Sequence, residues 1–258
     1  MTAILNLEEP DRVAIHDSIW EETLNRWRSE GFPETADVSE YFGFDLAFVS
    51  CDLTPGYEGL AYGESDRWVL SCTPYGSVGR DHVAGTARTR AEEASIQPAV
   101  EDREDFQNRI ELFLDISDPR RLCSPNSPFR KYLARKIADL KERFLVLASL
   151  RGPYVYCVSL CGVKRLLALI VKNPSFVNYM IDRVSKFTSE ASKSLIDLGV
   201  DGLFLREDMA YKNGPFFSPQ AYESLITPGH RRIFMTYRRR GLPAVLHCDG
   251  DFRPLIPA

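Results

Sequence analysis

Residues 244–257 read AVLHCDGDFRPLIP. A short apolar run, Ala244–Leu246, ends in His247, Cys248 and Asp249, and Gly250 follows. Imidazole, thiol and carboxylate are the side chains that bind metals and move protons. A glycine where the run stops lets the backbone turn sharply. The layout predicts a strand that delivers a reactive cluster to a loop. In a barrel of parallel strands, chemistry sits at the carboxyl ends of the strands. Ordinary buried residues at a strand end can have the same composition, so the other segments have to decide.

Four more runs share the pattern. Arg12–Ser18 (RVAIHDS) ends at His16 and Asp17, and Phe44–Asp52 (FDLAFVSCD) ends at Asp52. Phe144–Leu150 (FLVLASL) runs into Arg151, and Val200–Leu205 (VDGLFL) runs into Arg206, Glu207 and Asp208. With Pro243–Leu246 these are five predicted strands. Helical spacing is read over Glu21–Glu30, Val38–Phe42, Glu101–Phe113, Phe129–Arg143, Leu166–Val171, Ser175–Leu198 and Pro219–Arg240. Gly31, Gly199 and Gly241 stop three of these helices, and Asn173-Pro174 separates two others. Strands alternating with helices predict an α/β fold around a parallel sheet. One charged residue after a strand is commonplace, because strands end at the surface. Five such ends on one face of a parallel barrel would make a site.

The intervening chain reads differently. Thr54–Gly85, rich in Gly, Tyr and Asp with short alternating runs such as Trp68–Cys72, predicts hairpins. Ser117–Pro128 holds three prolines and reads as a loop. Residues 54–128 are therefore taken as an insertion within one domain spanning 1–258.

Bulk composition narrows the partners. The chain has 258 residues, 44% apolar and 26% charged, which suits one soluble globular domain with a large core. A net charge of −4 leaves no basic excess to follow a phosphate backbone, which argues against nucleic acid. No apolar run approaches the roughly 20 residues of a membrane span. The N-terminal MTAILNLEEPDR lacks the cationic start and apolar core of a signal peptide. The expected setting is cytoplasmic, and the expected partner is a small-molecule substrate, with a homodimer as a further expectation. Six cysteines in a chain this long do not make a disulfide scaffold, so reduced thiols are expected. Cys51, Cys72, Cys123, Cys157 and Cys161 form no tight CxxC pair and read as packing residues, and His230 as structural or solvated.

Gly199–Ala210 (GVDGLFLREDMA), Phe217-Ser218-Pro219 and Leu242–Gly250 (LPAVLHCDG), in that order and spacing, resemble the uroporphyrinogen decarboxylase (URO-D) superfamily. The resemblance is clearest over Phe144–Pro257. It implies a (β/α)8 TIM-barrel type of fold, of which about five of eight strands are expected here. Because the chain stops at Ala258, the expectation is a C-terminally truncated member.

Within the superfamily, the chain resembles the corrinoid- and folate-linked methyltransferases more than the true decarboxylases. The decarboxylases resemble one another in two N-terminal arginines around Gln-Ala-Gly, which hold substrate carboxylates. Residues 15–28 read IHDSIWEETLNRWR instead, and Ser159 stands where the decarboxylases have a tyrosine. Some methyltransferases carry His-x-Cys after strand five and a later Cys, which together bind zinc. Here Asp249 occupies the position of that first Cys.

The resemblance thus implies His247 and Asp249, with Cys248, as ligands of zinc or another divalent metal. Adjacent strand residues point to opposite faces, so His247 and Cys248 share an ion only if the strand has bent. Glu207 is implied as a ligand, an acid/base or a pocket carboxylate, and Asp17 and Asp52 as pocket carboxylates in the catalytic set. Arg151, Arg206, Asp208 and Tyr211 are the expected substrate contacts. The implied activity moves a methyl group between a corrinoid protein, or a methoxylated compound, and a thiol or folate acceptor. The implied methyl carrier is a corrinoid (cobamide) or tetrahydrofolate. The alternatives are decarboxylation of a porphyrinogen, with Asp52 facing the pyrroles, and a non-catalytic binding protein.

Overall fold

The computed structural model describes residues 2–57, 61–64, 68–82 and 97–256. In chain order the strands are β1 (Leu46–Val49), β2 (Ala61–Glu64), β3 (Trp68–Cys72), β4 (Val78–His82), β5 (Leu145–Arg151), β6 (Gly202–Arg206), β7 (Ala210–Tyr211), β8 (Gly214–Pro215) and β9 (Ala244–His247). The helices are α1 (Thr2–Leu5), α2 (Glu21–Ser29), α3 (Val38–Tyr41), α4 (Arg103–Asp105), α5 (Arg130–Lys141), α6 (Pro153–Cys161), α7 (Val163–Lys172), α8 (Pro174–Asp197), α9 (Pro219–Ala221) and α10 (Thr227–Arg238). A π-helical turn, Tyr222–Ile226, joins α9 to α10.

The central sheet has the order β1-β5-β6-β9, with every neighbouring pair parallel. Helices α6 to α8 make the crossover from β5 to β6, and α9–α10 the one from β6 to β9. This is the α/β arrangement expected of part of a (β/α)8 barrel. Sequence β5 is apolar on both faces, as a strand buried on both sides requires. Val49, Val146, Ala148, Leu150, Leu203 and Leu205 point to one face and are buried under the helices. The opposite face carries Phe48, Leu147, Ser149, Phe204 and Val245. Its rings form a row: His16 to Phe48 at 4.5 Å, Phe48 to Phe204 at 4.7 Å and Phe204 to His247 at 5.3 Å between centroids.

Two expectations are corrected. Arg12–Ser18 is not a strand. Ile15 exchanges hydrogen bonds with the backbone and carboxylate of Asp45, Arg12 pairs with that carboxylate at 2.6 Å, and no ladder to a neighbouring strand forms. Val13 remains 82% exposed, so its apolar character is not used for pairing. The central sheet therefore has four of the five expected strands among the described residues. Residues 153–161, not expected to be helical, form α6. PYVYCVSLC is rich in aromatic and β-branched residues that favour strands. Pro153 at the first helical position is the local signal for a helix start there. The break at Asn173-Pro174 falls where it was read: Asn173 accepts a hydrogen bond from the backbone N–H of Phe176, capping α8.

The hairpins expected within Thr54–Gly85 are a three-stranded antiparallel sheet, β2-β3-β4. Residues 58–60, 65–67 and 83–85 of that segment lie outside the described ones. The loop Ser117–Pro128 is tied to the end of β1 in two ways. A disulfide joins Cys51 to Cys123, with Cα atoms 6.0 Å apart, which corrects the expectation that both thiols are reduced. Their separation of 72 residues gives no local spacing signal. Arg121 is buried at 5% exposure, and its guanidinium donates to four carbonyls: Asp52, Thr54, Phe113 and Asp115. No single helix among the described residues is long and apolar enough to cross a membrane.

Removing the guanidinium would take this donor away from all four carbonyls at once. Arg121→Met is expected to lower unfolding free energy by about 2–4 kcal/mol, the range for several charge-assisted hydrogen bonds of one buried side chain lost together. Urea denaturation checks this, with a lower midpoint and an unchanged slope as the expected result.

Candidate metal centre at the strand ends

The register aligns the carboxyl ends of three strands. Arg151 on β5 pairs with Arg206 on β6, and Arg206 with His247 on β9. Residues in one row of a sheet project to the same face, and the next residue along each strand projects to the other. Arg151, Arg206 and His247 therefore share the face that carries Phe204. Gly152, Glu207 and Cys248 fall in the next row and face the helices.

His247 lies between two carboxylates. Its Nε2 is 3.9 Å from Asp208 Oδ1 and 3.4 Å from Asp249 Oδ1. The backbone N–H of Asp249 is 3.4 Å from Asp208 Oδ1, so the loops after β6 and β9 approach each other here. Asp208, His247 and Asp249 each offer a ligand atom within 4.8 Å of the others. All three are partly exposed, at 31%, 40% and 52%, so an ion and a substrate can reach them from solvent. One imidazole and two carboxylates suit zinc, and equally a harder divalent ion.

Gly250 sets the second loop. Its φ is +81°, and a Cβ there would lie 2.6 Å from the carbonyl carbon and oxygen of Tyr211. The backbone of Tyr211 also accepts the N–H of Asp251 at 3.1 Å. Tyr211 thus acts through its main chain, while its ring is 60% exposed with the Lys212 ammonium 5.8 Å from the centroid.

Glu207 and Cys248 are not brought together with Asp208, His247 and Asp249, for one physical reason: both face the helices. Glu207 is fully buried. Its carboxylate accepts the backbone N–H groups of Tyr154 and Val155 at 3.0 and 2.9 Å, at the N-terminus of α6. His230 Nε2 is 2.7 Å from the same carboxylate, and His230 Nδ1 is 3.0 Å from the Tyr222 hydroxyl. Gly152 makes room for this: a Cβ there would lie 2.1 Å from the carboxyl carbon of Glu207. His230 is therefore a structural residue, 2% exposed. Cys248 Sγ accepts the N–H of Met209 at 3.1 Å, and burial raises its pKa above the usual thiol value. Its position away from His247 follows from the unbent strand.

Asp17 and Asp52 sit elsewhere. Asp17 is exposed in the irregular N-terminal segment and accepts the N–H of Ser18 at 2.7 Å. Asp52, beyond the end of β1, accepts the N–H of Thr54 at 2.9 Å. Among the described contacts, neither is hydrogen-bonded or ion-paired to the Asp208–His247–Asp249 group. Phe48 and Phe204, beside that group, were not picked out from the sequence, although alternation along their strands puts them on the same face as His247.

Residues 94–258, more than half of the chain, match the family described as uroporphyrinogen decarboxylase (URO-D). None of the curated proteins matches the chain. Among solved structures, a methyltransferase from Methanosarcina mazei is similar at 16% identity with a TM-score of 0.40. That similarity covers 48% of this chain, and the chain spans 37% of the length of that structure.

A fully buried carboxylate with paired donors is costly to break and dispensable for an ion on the other face. Glu207→Ala is expected to destabilise the fold by about 2–4 kcal/mol, the cost of leaving several buried donors without their acceptor. Zinc affinity of the folded fraction should stay within about threefold, far less than the loss of a ligand causes. Urea denaturation and a zinc titration check this together. Lost zinc binding at an unchanged midpoint would return Glu207 to the metal site.

Proposed function

The chain belongs to the uroporphyrinogen decarboxylase (URO-D) family, and from that premise we propose that it is a metal-dependent methyltransferase of this superfamily. It moves a methyl group between a corrinoid protein, or a methoxylated compound, and a thiol or folate acceptor. The observation that carries this reading is the convergence of Asp208, His247 and Asp249 at the carboxyl ends of β6 and β9. The absence of the decarboxylases' N-terminal arginine signature supports it.

Asp208, His247 and Asp249 would hold a divalent ion, which when bound would supply Lewis-acid activation of an acceptor thiol or oxygen. The protein's part is to fix the donors. Asp208 and Asp249 bring two negative charges beside the imidazole, which favours a cation at this point over the surrounding rim. His247 would offer its Nε2, which already stands between the two carboxylates, to the ion. Stacking on Phe204 holds the imidazole plane, and the Gly250 turn returns Asp249 toward it. The half-buried rings of Phe48 and Phe204 line the approach and reduce water at the reacting end.

The test is His247→Ala. Bound zinc, measured by elemental analysis after dialysis, is expected to fall from about one equivalent to near zero. Transfer of methyl from methylcobalamin to a thiol, followed by the corrinoid spectrum, is expected to fall at least about 100-fold, beyond what outer partners of a ligand cost. Cys248→Ser should leave both in place. Unchanged values in His247→Ala would remove this residue, and the metal reading with it.

A further inference from the structure

The row that ends at His247 begins with two arginines. Arg151 and Arg206 stand side by side on neighbouring parallel strands, whose spacing is about 4.8 Å. Both side chains are exposed, and their like charges repel: burial and then the Arg151 charge lower the pKa of Arg206. Among the described residues, neither has a carboxylate within 4.0 Å. Every other contact made by Arg151 only holds it in place: it donates to Ser159 Oγ at 3.0 Å and lies 5.4 Å from the ring of Tyr75. Tyr75 is buried, and burial raises its pKa, so its hydroxyl keeps its proton. Two acids act on this neighbourhood electrostatically, Asp208 on Arg206 and Asp52 on Tyr75. Asp52 is occupied with the Thr54 N–H, and Asp208 stands against His247 and Asp249. A cation in that cluster would draw on the charge of Asp208 and leave the two arginines less compensated still.

We propose that Arg151 and Arg206 form an oxyanion subsite that binds a carboxylate or phosphate group of the substrate, with the substrate's reacting end directed at His247. Planar guanidinium forks bind both anions in bidentate fashion. The row fixes the ligand's length: one to two strand spacings, roughly 5–10 Å, separate the anion from His247. One pleat below lie Phe204 and Val245, an apolar floor suited to a flat ring. The substrate class is a small aromatic acid or aryl phosphate carrying the transferable group. The direction of the reacting end rests on the metal reading above. The anion subsite itself does not, and its test is run without metal.

The experiment titrates the full chain in EDTA with 3-methoxybenzoate, 3-methoxyphenyl phosphate and neutral 3-methoxybenzyl alcohol, followed by ligand-observed NMR. At least one anion is expected to bind about tenfold or more tighter than the alcohol, the scale of a charge-assisted bidentate pair. Which anion prevails identifies the source of the oxyanion. In the Arg151→Met/Arg206→Met variant the preference is expected to fall to within about twofold, and in His247→Ala it should persist. No preference in the wild type, or one that survives the double substitution, overturns the proposal. Should the double variant lose its cooperative melt, Arg206→Lys decides: it keeps the charge but loses the fork, and anion affinity should fall several-fold. An unchanged affinity there also overturns the subsite.

Discussion

The buried carboxylate of Glu207 is the constraint around which the strand ends are arranged. A carboxyl group removed from water is tolerable only with a full set of hydrogen-bond partners. Glu207 has two backbone N–H groups at the positive end of α6 and the imidazole of His230 from α10. One side chain thus ties the end of β6 to α6, the first helix of the crossover before it, and to α10 in the crossover after it. It leaves no freedom in how β6 ends, because rotating the strand would strip those partners away. With Glu207 pinned inward, Arg206 and Asp208 on either side of it have to face outward, which puts Asp208 beside His247.

The sheet and the identity of most strands were legible because parallel strands buried on both faces are written as apolar runs, as in FLVLASL. Their charged endings mark where the runs leave the core. The reading failed where a decision depended on distant residues. Arg12–Ser18 has the composition of a strand but finds one anchor, Asp45, in place of a neighbouring ladder. Pro153–Cys161 has strand-forming side chains, yet its first N–H groups are claimed by a carboxylate more than fifty residues later in the chain. The Cys51–Cys123 pairing is likewise invisible to spacing.

Which charged residues face the same side was only half legible. Consecutive charged residues such as Arg206-Glu207-Asp208 do not say which of them faces the helices. That depends on whether the register begins on an inward or an outward residue, and a glycine on the neighbouring strand is what settles it. Gly152 is the only residue type that leaves room for the Glu207 side chain at 2.1 Å from a would-be Cβ. The adjacency of Arg151, Arg206 and His247 is a property of three strands in register and belongs to no local motif. The aromatic row from His16 to His247 is of the same kind.

The shared register of β5, β6 and β9 has an evolutionary consequence. Because the side-chain period of a strand is two, inserting or deleting one residue upstream within any of them would swap its inward and outward sets. Such an event would bury a guanidinium and turn Glu207 or Cys248 to solvent in one step, a change that no single compensating substitution reverses. Length changes in lineages of this fold should therefore accumulate in the segments between strands, while the strands themselves diverge by replacement alone. The spacing from Leu145 to Arg151, from Gly202 to Arg206 and from Ala244 to His247 would then be inherited as fixed intervals, even where the amino acids filling them differ.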